Sequence, residues 1–269
     1  MSASLRHDLA AEWLEADGLG GFASGTVGGA RTRRYHALLL AAVTPPTGRS
    51  VLVNGCEVWV ETGSGSYPIS TQRYAPGVTH PNGSAHLIGF EPEPWPCWTY
   101  RLPDGTEVVQ EIVVPKATAA TLIAWRRVAG TGRSRLHVKP LMSGRDAHAL
   151  HHESAKFPFR CEVTSGDGER AGSAGAVEHG NGGRVTFGAY PGLPPVIARH
   201  NGSFERGLEW FRSFQYEEER RRGLDFLEDL GAPGEFHFDL EAGEATLLLC
   251  AGSGAEAAAM TAAAAKGTA

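Results

Sequence analysis

Apolar residues recur along this chain in short runs separated by glycine, proline and polar words, with the length of strands and without the 3.6-residue spacing of helices. Such runs occupy 35–43, 56–60, 97–102, 108–114, 121–128, 136–142, 159–163, 184–190 and 196–200. The clearest turn signal is Pro103-Asp104-Gly105. It separates the run ending at Leu102 from one in which Val108, Gln110 and Ile112 share a face, which predicts a hairpin. Long helical patterns are nearly absent before residue 207, and the stretch 216–229 reads as a charged helical face with pairs such as Glu217–Arg221 and Glu218–Arg222. Residues 254–269 are an alanine-rich helix former with no apolar stripe of their own. Between Thr164 and Gly183 the chain is polar, glycine-rich and short of aromatics, and predicts a surface loop or strand connection.

Many short strands punctuated by 35 glycines and 16 prolines predict a mainly β fold, a large antiparallel β-sandwich with a few short helices. We expect one β-sandwich domain over 1–252 and the start of a linker helix over 253–269. No internal repeat of solenoid length is evident.

Charge narrows the partners. The chain carries 25 basic and 30 acidic residues, a formal net charge of −5, so it has no global positive field to hold nucleic acid or an anionic membrane. The N-terminal stretch MSASLRHDLAAEWLEADG has no apolar signal core, and no run approaches the roughly 20 apolar residues of a membrane span, so a soluble, cytoplasmic protein is expected. Cys56, Cys97, Cys161 and Cys250 are scattered without a CxxC spacing and read as small core hydrophobes. The Asn-x-Ser words at Asn82 and Asn201 read as turns.

The densest chemistry lies between Gly18 and His36. Six glycines from Gly18 to Gly29 allow positive φ and close backbone approach, and Arg31, Arg33, Arg34, Tyr35 and His36 follow with planar donors and an aromatic face. Gly18-Leu19-Gly20-Gly21-Phe22-Ala23 satisfies the form GxGxxA, but no β-branched strand precedes it and no helix follows, so nucleotide binding is not expected. Two readings of the cluster stay open. In one, Arg33, Arg34, Tyr35 and His36 meet sugar hydroxyls and a pyranose face; in the other, they make ion pairs and strand packing within the protein or across a domain seam.

Arg145, Asp146 and His148, with His151, His152 and Glu153 behind them, place cation, carboxylate and imidazole near a strand end. The spacing HALHHE is not a zinc-protease word, and neither a metal nor any other cofactor is expected. The carboxylates of 216–229 tempt a hydrolytic assignment, because glycoside hydrolysis needs two carboxyl groups roughly 5 to 10 Å apart. A charge run along a helix creates neither a cleft nor a raised pKa, so no catalytic residue is assigned. Trp98 reads as core, and Trp95 is open between core and an exposed stacking platform.

The words GLGGFASGTVGGARTRRYHALLL (18–40), PPTGR (45–49), PLMSGRDAHAL (140–150) and FQYEEERRRGLDFLEDLGAPGEF (214–236) together resemble the N-terminal domain of the bacterial and archaeal type of glycogen debranching enzyme, amylo-α-1,6-glucosidase. The chain departs from that family in carrying Ala37 where a glycine is expected after His36. The resemblance implies a β-supersandwich. It also implies hydrolysis of α-1,6-linked glucose at glycogen branch points, in glycogen catabolism, by carboxylates of an (α/α)6 barrel that follows this domain. From the end of the sequence at Ala269 we expect an accessory half, inactive alone, whose enzyme status is therefore undecided. Its partners would be glycogen or a branched α-glucan and the barrel, in the same or a neighbouring chain. Under this resemblance Arg33, Arg34, Tyr35, His36, Arg145, Asp146, His148, Tyr216, Glu219 and Asp225 form a substrate-facing or domain-interface surface, with Arg145 paired to Asp146. The rivals are a stand-alone carbohydrate-binding module, a self-sufficient glycosidase, and a scaffold or regulatory protein without sugar affinity.

Overall fold

The computed structural model describes residues 8–44, 47–157, 160–165, 182–188 and 190–266. Among these the chain runs β1 (Glu12–Ala16), β2 (Phe22–Thr26), β3 (Ala37–Thr44), β4 (Gly48–Thr62), β5 (Gly65–Pro68), β6 (Thr71–Tyr74), β7 (Val78–Asn82), β8 (Leu87–Glu91) and β9 (Cys97–Arg101). It continues through β10 (Glu107–Val113), β11 (Ala120–Ala129), β12 (Ser134–Asp146), β13 (Cys161–Ser165), β14 (Gly183–Phe187), β15 (Val196–His200), β16 (Ser203–Gln215), β17 (Leu227–Asp239) and β18 (Ala245–Ala251). Two α-helices are described, α1 (Glu217–Arg221) and α2 (Gly252–Lys266). No helix among the described residues is long and apolar enough to cross a membrane.

The strands form two antiparallel sheets. The larger runs β1-β2-β3-β4-β12-β17-β16-β6-β7, with β5 paired to β4, and the smaller runs β13-β14-β15-β18-β11-β10-β9-β8. One apolar cluster joins their inner faces, with Leu52, Val60, Leu136, Phe204 and Phe236 from the larger sheet and Trp98, Ile123, Trp125, Phe187 and Leu247 from the smaller. This is the expected sandwich. Period-two alternation fixes it, since Leu136 and Val138 on β12 and Phe236 and Phe238 on β17 point inward while His137, Lys139, Glu235 and His237 stay half-buried on the outer face.

The expected hairpin is present: β9 and β10 pair with Arg101 opposite Glu107, and Gly105 takes φ +86° in the turn. Trp98 is core, donating its indole N–H to the Val27 carbonyl at 2.9 Å, and Trp95 is half-buried. The polar stretch expected between Thr164 and Gly183 lies from 166 to 181 outside the described residues.

Three readings are corrected. The 216–229 stretch is helical only over Glu217–Arg221, after which β17 begins, and Glu219 is buried under the loop before β3. Glu217–Arg221 pairs at 3.6 Å as expected, but Glu218 meets Arg221 at 2.8 Å. The C-terminal helix does present an apolar face: Ala255 and Ala259 pack on Ala120, Ile197, Leu248 and Cys250 of the smaller sheet's outer surface. Among the described residues of this contact the helix supplies small methyl groups and the sheet the larger side chains.

Candidate functional site

The glycine segment is a turn between strands. Asp17 closes it by accepting the amides of Leu19 at 2.6 Å and Gly21 at 2.9 Å. Gly21 has no room for a side chain, since a Cβ there would sit 2.5 Å from the Asp17 carboxylate and 2.6 Å from the Leu40 carbonyl. With antiparallel strands on both sides, the GxGxxA word presents no helix N-terminus to a phosphate.

Past β2 the chain makes an irregular loop over 30–36, and four segments converge on it. Arg34 is the centre. Its amide donates to Glu219 Oε1 at 3.1 Å, its guanidinium donates to Glu219 Oε2 at 3.2 Å and to the His148 carbonyl at 2.6 Å, and the Asp225 carbonyl lies at 3.5 Å. Tyr35 brings its hydroxyl to 2.8 Å from His148 Nδ1, with the two rings edge to face at 5.6 Å. The amide of Glu218 donates to the Thr32 carbonyl at 2.9 Å, so α1 is tied to the loop by backbone and side chain together.

Below this rim lies a buried polar network around Glu228, at the start of β17. Its carboxylate accepts the Arg145 guanidinium, the Tyr216 hydroxyl, Asn54 Nδ2 at 3.2 Å and the His151 amide at 2.9 Å. Asn54 is held in turn by Ser143 at 2.7 Å, and Arg145 reaches the Arg34 carbonyl at 2.7 Å. Burial pushes the Tyr216 phenol well above its ordinary range, so it stays a donor. His151 fixes the adjoining loop, with Nδ1 2.8 Å from the Asp229 carbonyl, Nε2 2.9 Å from the Tyr190 hydroxyl, and its ring stacked on Trp210. The result is a rigid floor carrying an exposed rim of Asp146, His148 and Asp225, with Tyr35 half-buried beside them.

Arg33 and His36 turn the other way. Arg33 Nε meets Glu12 at 2.5 Å, and His36 is buried with Nε2 3.4 Å from the same carboxylate. Burial holds the His36 imidazole down to about 4, against the pull of Glu12, and its Nδ1 accepts the Thr32 amide at 3.1 Å. A neutral ring follows from both facts.

The sequence model of the family described as glycogen debranching enzyme N terminal matches residues 11–247. The chain belongs to this family. A comparison with curated proteins returned no match. For a debranching-enzyme N-terminal domain the words that carry the likeness now have physical content. TRRYHALLL supplies the loop whose Arg34 and Tyr35 meet His148, and SGRDAHAL and FQYEEERRRGLDFLEDL supply the segments that close around it. Ala37 packs its methyl group with Leu40, Val51 and Ala147.

The site therefore gathers Arg34, Tyr35, Arg145, Asp146, His148, Tyr216, Glu219 and Asp225, and leaves Arg33 and His36 on the Glu12 side. Arg145 is not paired with the Asp146 carboxylate. Its partner is Glu228, while Asp146 accepts the His148 amide at 2.8 Å and shapes the turn. The HALHHE imidazoles do not converge, since His148 meets Tyr35, His151 meets Tyr190, and His152 Nδ1 stands 3.8 Å from Asp229. Sequence reasoning missed Glu228, Asn54 and Ser143. The signal for Asn54 was available, a carboxamide inside the apolar run VLVNGCEVWV. Arg31, under this floor, stacks over Phe214 at 4.8 Å and lines an interior cavity of about 90 Å³ with Asn54, Gln72 and Gln110.

Proposed function

We propose that this domain is the non-catalytic N-terminal part of a glycogen debranching enzyme. In this reading it braces an (α/α)6 glucosidase barrel, in the same or a neighbouring chain, and the Arg34–His148 rim forms one wall of the α-1,6-glucan cleft. The observation that carries it is the convergence of family words from distant parts of the sequence on one rim over a buried ionic floor. Preorganised polar groups on rigid elements are what a cleft wall or an interface requires.

The carboxylates of the charged stretch support a non-catalytic role. Glu217 faces Arg220 and Gln215, Glu218 faces Arg221, Glu219 faces Arg34, Glu228 faces Arg145, and Asp229 accepts the Ser213 and Glu153 amides. Each of these is held by a structural partner, which leaves the exposed Asp225 without a second free carboxylate in this stretch to form the pair that hydrolysis needs. That weighs against the self-sufficient glycosidase. The half-buried Trp95 gives little flat aromatic surface to a stand-alone sugar module.

The test is hydrolysis of a branched limit dextrin by the barrel-containing enzyme carrying His148→Ala or Asp225→Ala. Both are exposed positions, so melting should hold within a few degrees while KM for branched glucan rises about tenfold, roughly 1.4 kcal/mol of lost binding. Unchanged kinetics for both variants would remove the rim from the cleft. Titration of the isolated chain with maltooligosaccharides and a branched α-1,6 oligosaccharide then separates sugar recognition by the domain itself from recognition that needs the barrel.

A further inference from the structure

We propose that His137, His237 and Glu235, on the outer face of the larger sheet, bind one divalent cation of the zinc class. The strands place them together: His137 on β12 lies directly opposite His237 on β17, and Glu235 is two residues from His237 on the same face. Three ligand atoms converge there. His137 Nδ1 lies 2.8 Å from Glu235 Oε1, His237 Nδ1 lies 3.2 Å from His137 Nδ1, and His237 Nδ1 lies 3.7 Å from Glu235 Oε1. Metal–ligand bonds of about 2.0 to 2.1 Å at tetrahedral angles separate neighbouring ligand atoms by about 3.3 Å, which is the size of this triangle. One ion seated just off its plane bonds all three atoms, whereas the hydrogen on one nitrogen satisfies only one edge.

The surroundings carry a second, independent mark of a metal site. Each imidazole turns its other nitrogen toward a carboxylate, His137 Nε2 at 3.1 Å from Glu61 Oε2 and His237 Nε2 at 3.6 Å from Glu205 Oε2. A carboxylate behind each histidine fixes the tautomer that leaves Nδ1 free for the metal and raises its basicity. Lys139 stands 3.7 Å from the outer oxygen of Glu235 and 3.0 Å from Glu209, which holds the inner oxygen toward the histidines. Glu235, Glu61, Glu205 and Glu209 against Lys139 and the Arg135 guanidinium leave an excess of negative charge for a divalent cation to neutralise. The two imidazoles and Glu235 are about a fifth to a quarter exposed, so an ion and a water as fourth ligand can enter.

Such an ion would cross-link β12 to β17. Those two strands carry Arg145 and Glu228 at their other ends, beyond a register shift between Val138 and Met142, so the ion would fasten the pair at the end away from the ionic floor. Nothing in this inference depends on the glucan-cleft reading.

The experiment is calorimetric titration of the chelator-stripped full chain with zinc sulfate, paired with the visible spectrum on adding Co²⁺ as a coordination probe. Expected are about one zinc per chain at micromolar affinity or tighter, tetrahedral Co²⁺ bands, and a zinc-dependent rise in melting temperature. His137→Ala and His237→Ala should each weaken binding at least 100-fold, and the surface change Glu61→Gln should weaken it about 10- to 100-fold. His152→Ala, at an exposed histidine away from this face, should change nothing. No saturable binding, or binding that survives both histidine replacements because it sits on the free thiols, overturns the proposal. If either histidine variant fails to fold, Glu61→Gln decides the matter, since Glu61 is half exposed and its removal leaves the sheet intact.

Discussion

Glu228 has no solvent exposure, and its two oxygens collect a guanidinium, a phenol, a carboxamide and an amide. Burying a carboxylate is costly unless every lone pair finds a donor, and here the donors come from β4, β12, the loop after it and the residue before α1. The energetic weight falls on the charged pair. Glu228→Gln keeps the volume and removes the charge that balances buried Arg145, and should cost about 3 to 5 kcal/mol. Tyr216→Phe removes one donor and should cost less, about 1 to 3 kcal/mol. Chemical denaturation of both variants checks the order; a Glu228→Gln loss below that of Tyr216→Phe would mean the floor is held by packing and not by charge. Ser213 shows the same dependence on one carboxylate. Its φ of +64° is unfavourable for a non-glycine residue, and the Asp229 carboxylate that accepts its amide at 2.8 Å fixes that conformation.

Among the elements, α2 docks on the outer surface of the smaller sheet. Among its described side chains Ala255 and Ala259 supply the apolar contact, and Glu256 fastens it with Arg184 at 2.8 Å and Arg199 at 2.7 Å. Glu256→Ala should therefore release the helix locally: hydrogen exchange of the α2 amides rises by an order of magnitude or more, while global stability falls by only about 1 kcal/mol. Unchanged exchange would assign the docking to the alanines. The same contrast between periodic and irregular elements explains what was legible in the sequence. β10, β11 and β12 were readable because their inward residues alternate without interruption over most of their length. β16 and β17 were not. Register shifts between Arg206 and Glu209 and between Phe211 and Phe214 break the period of two, and Gly231, Pro233 and Gly234 read as turn residues. Gly234 is a glycine because a side chain there would enter the Phe204 ring and the Glu205 carbonyl, which is invisible without the neighbouring strand. The site was half legible for the same reason. Arg34, Tyr35 and His148 stand in words dense in polar residues, whereas Glu228 and the His137–His237 pair acquire meaning only from strand pairing.

For the whole molecule, acid stability follows from imidazoles held neutral by burial. His36 and His200 are each held down to about 4 by burial, His36 against Glu12 and Glu219 and with Arg31 and Arg33 reinforcing the shift, His200 against the Gly202 backbone. In the unfolded chain both protonate from about 6.5 downward. The unfolded state then binds more protons than the folded one between pH 6.5 and 4, so stability is full above 6.5 and is lost as pH falls through that window. Two such residues give a slope approaching about 2.7 kcal/mol per pH unit near its middle, since each proton contributes about 1.4. Asp104 and Glu217 behave differently. They are held near 2, Asp104 by hydrogen bonds from Thr62, Ser64 and Thr106 that outweigh its desolvation and Glu217 chiefly by Arg220, so their contributions begin to fade only below about pH 4.5. Denaturation midpoints measured at pH 7, 5.5 and 4.5 should therefore fall steadily before those carboxylates titrate. His86, His151 and His237 are also lowered by burial and His137 is raised by Glu235, so His200→Phe, which keeps a flat ring beside Phe236 where the imidazole lies 5.0 Å from that ring, should reduce the slope without abolishing it. A wild-type midpoint flat from pH 7 to 4.5, or a His200→Phe slope equal to wild type, would transfer acid sensitivity from these imidazoles to the surface ion pairs.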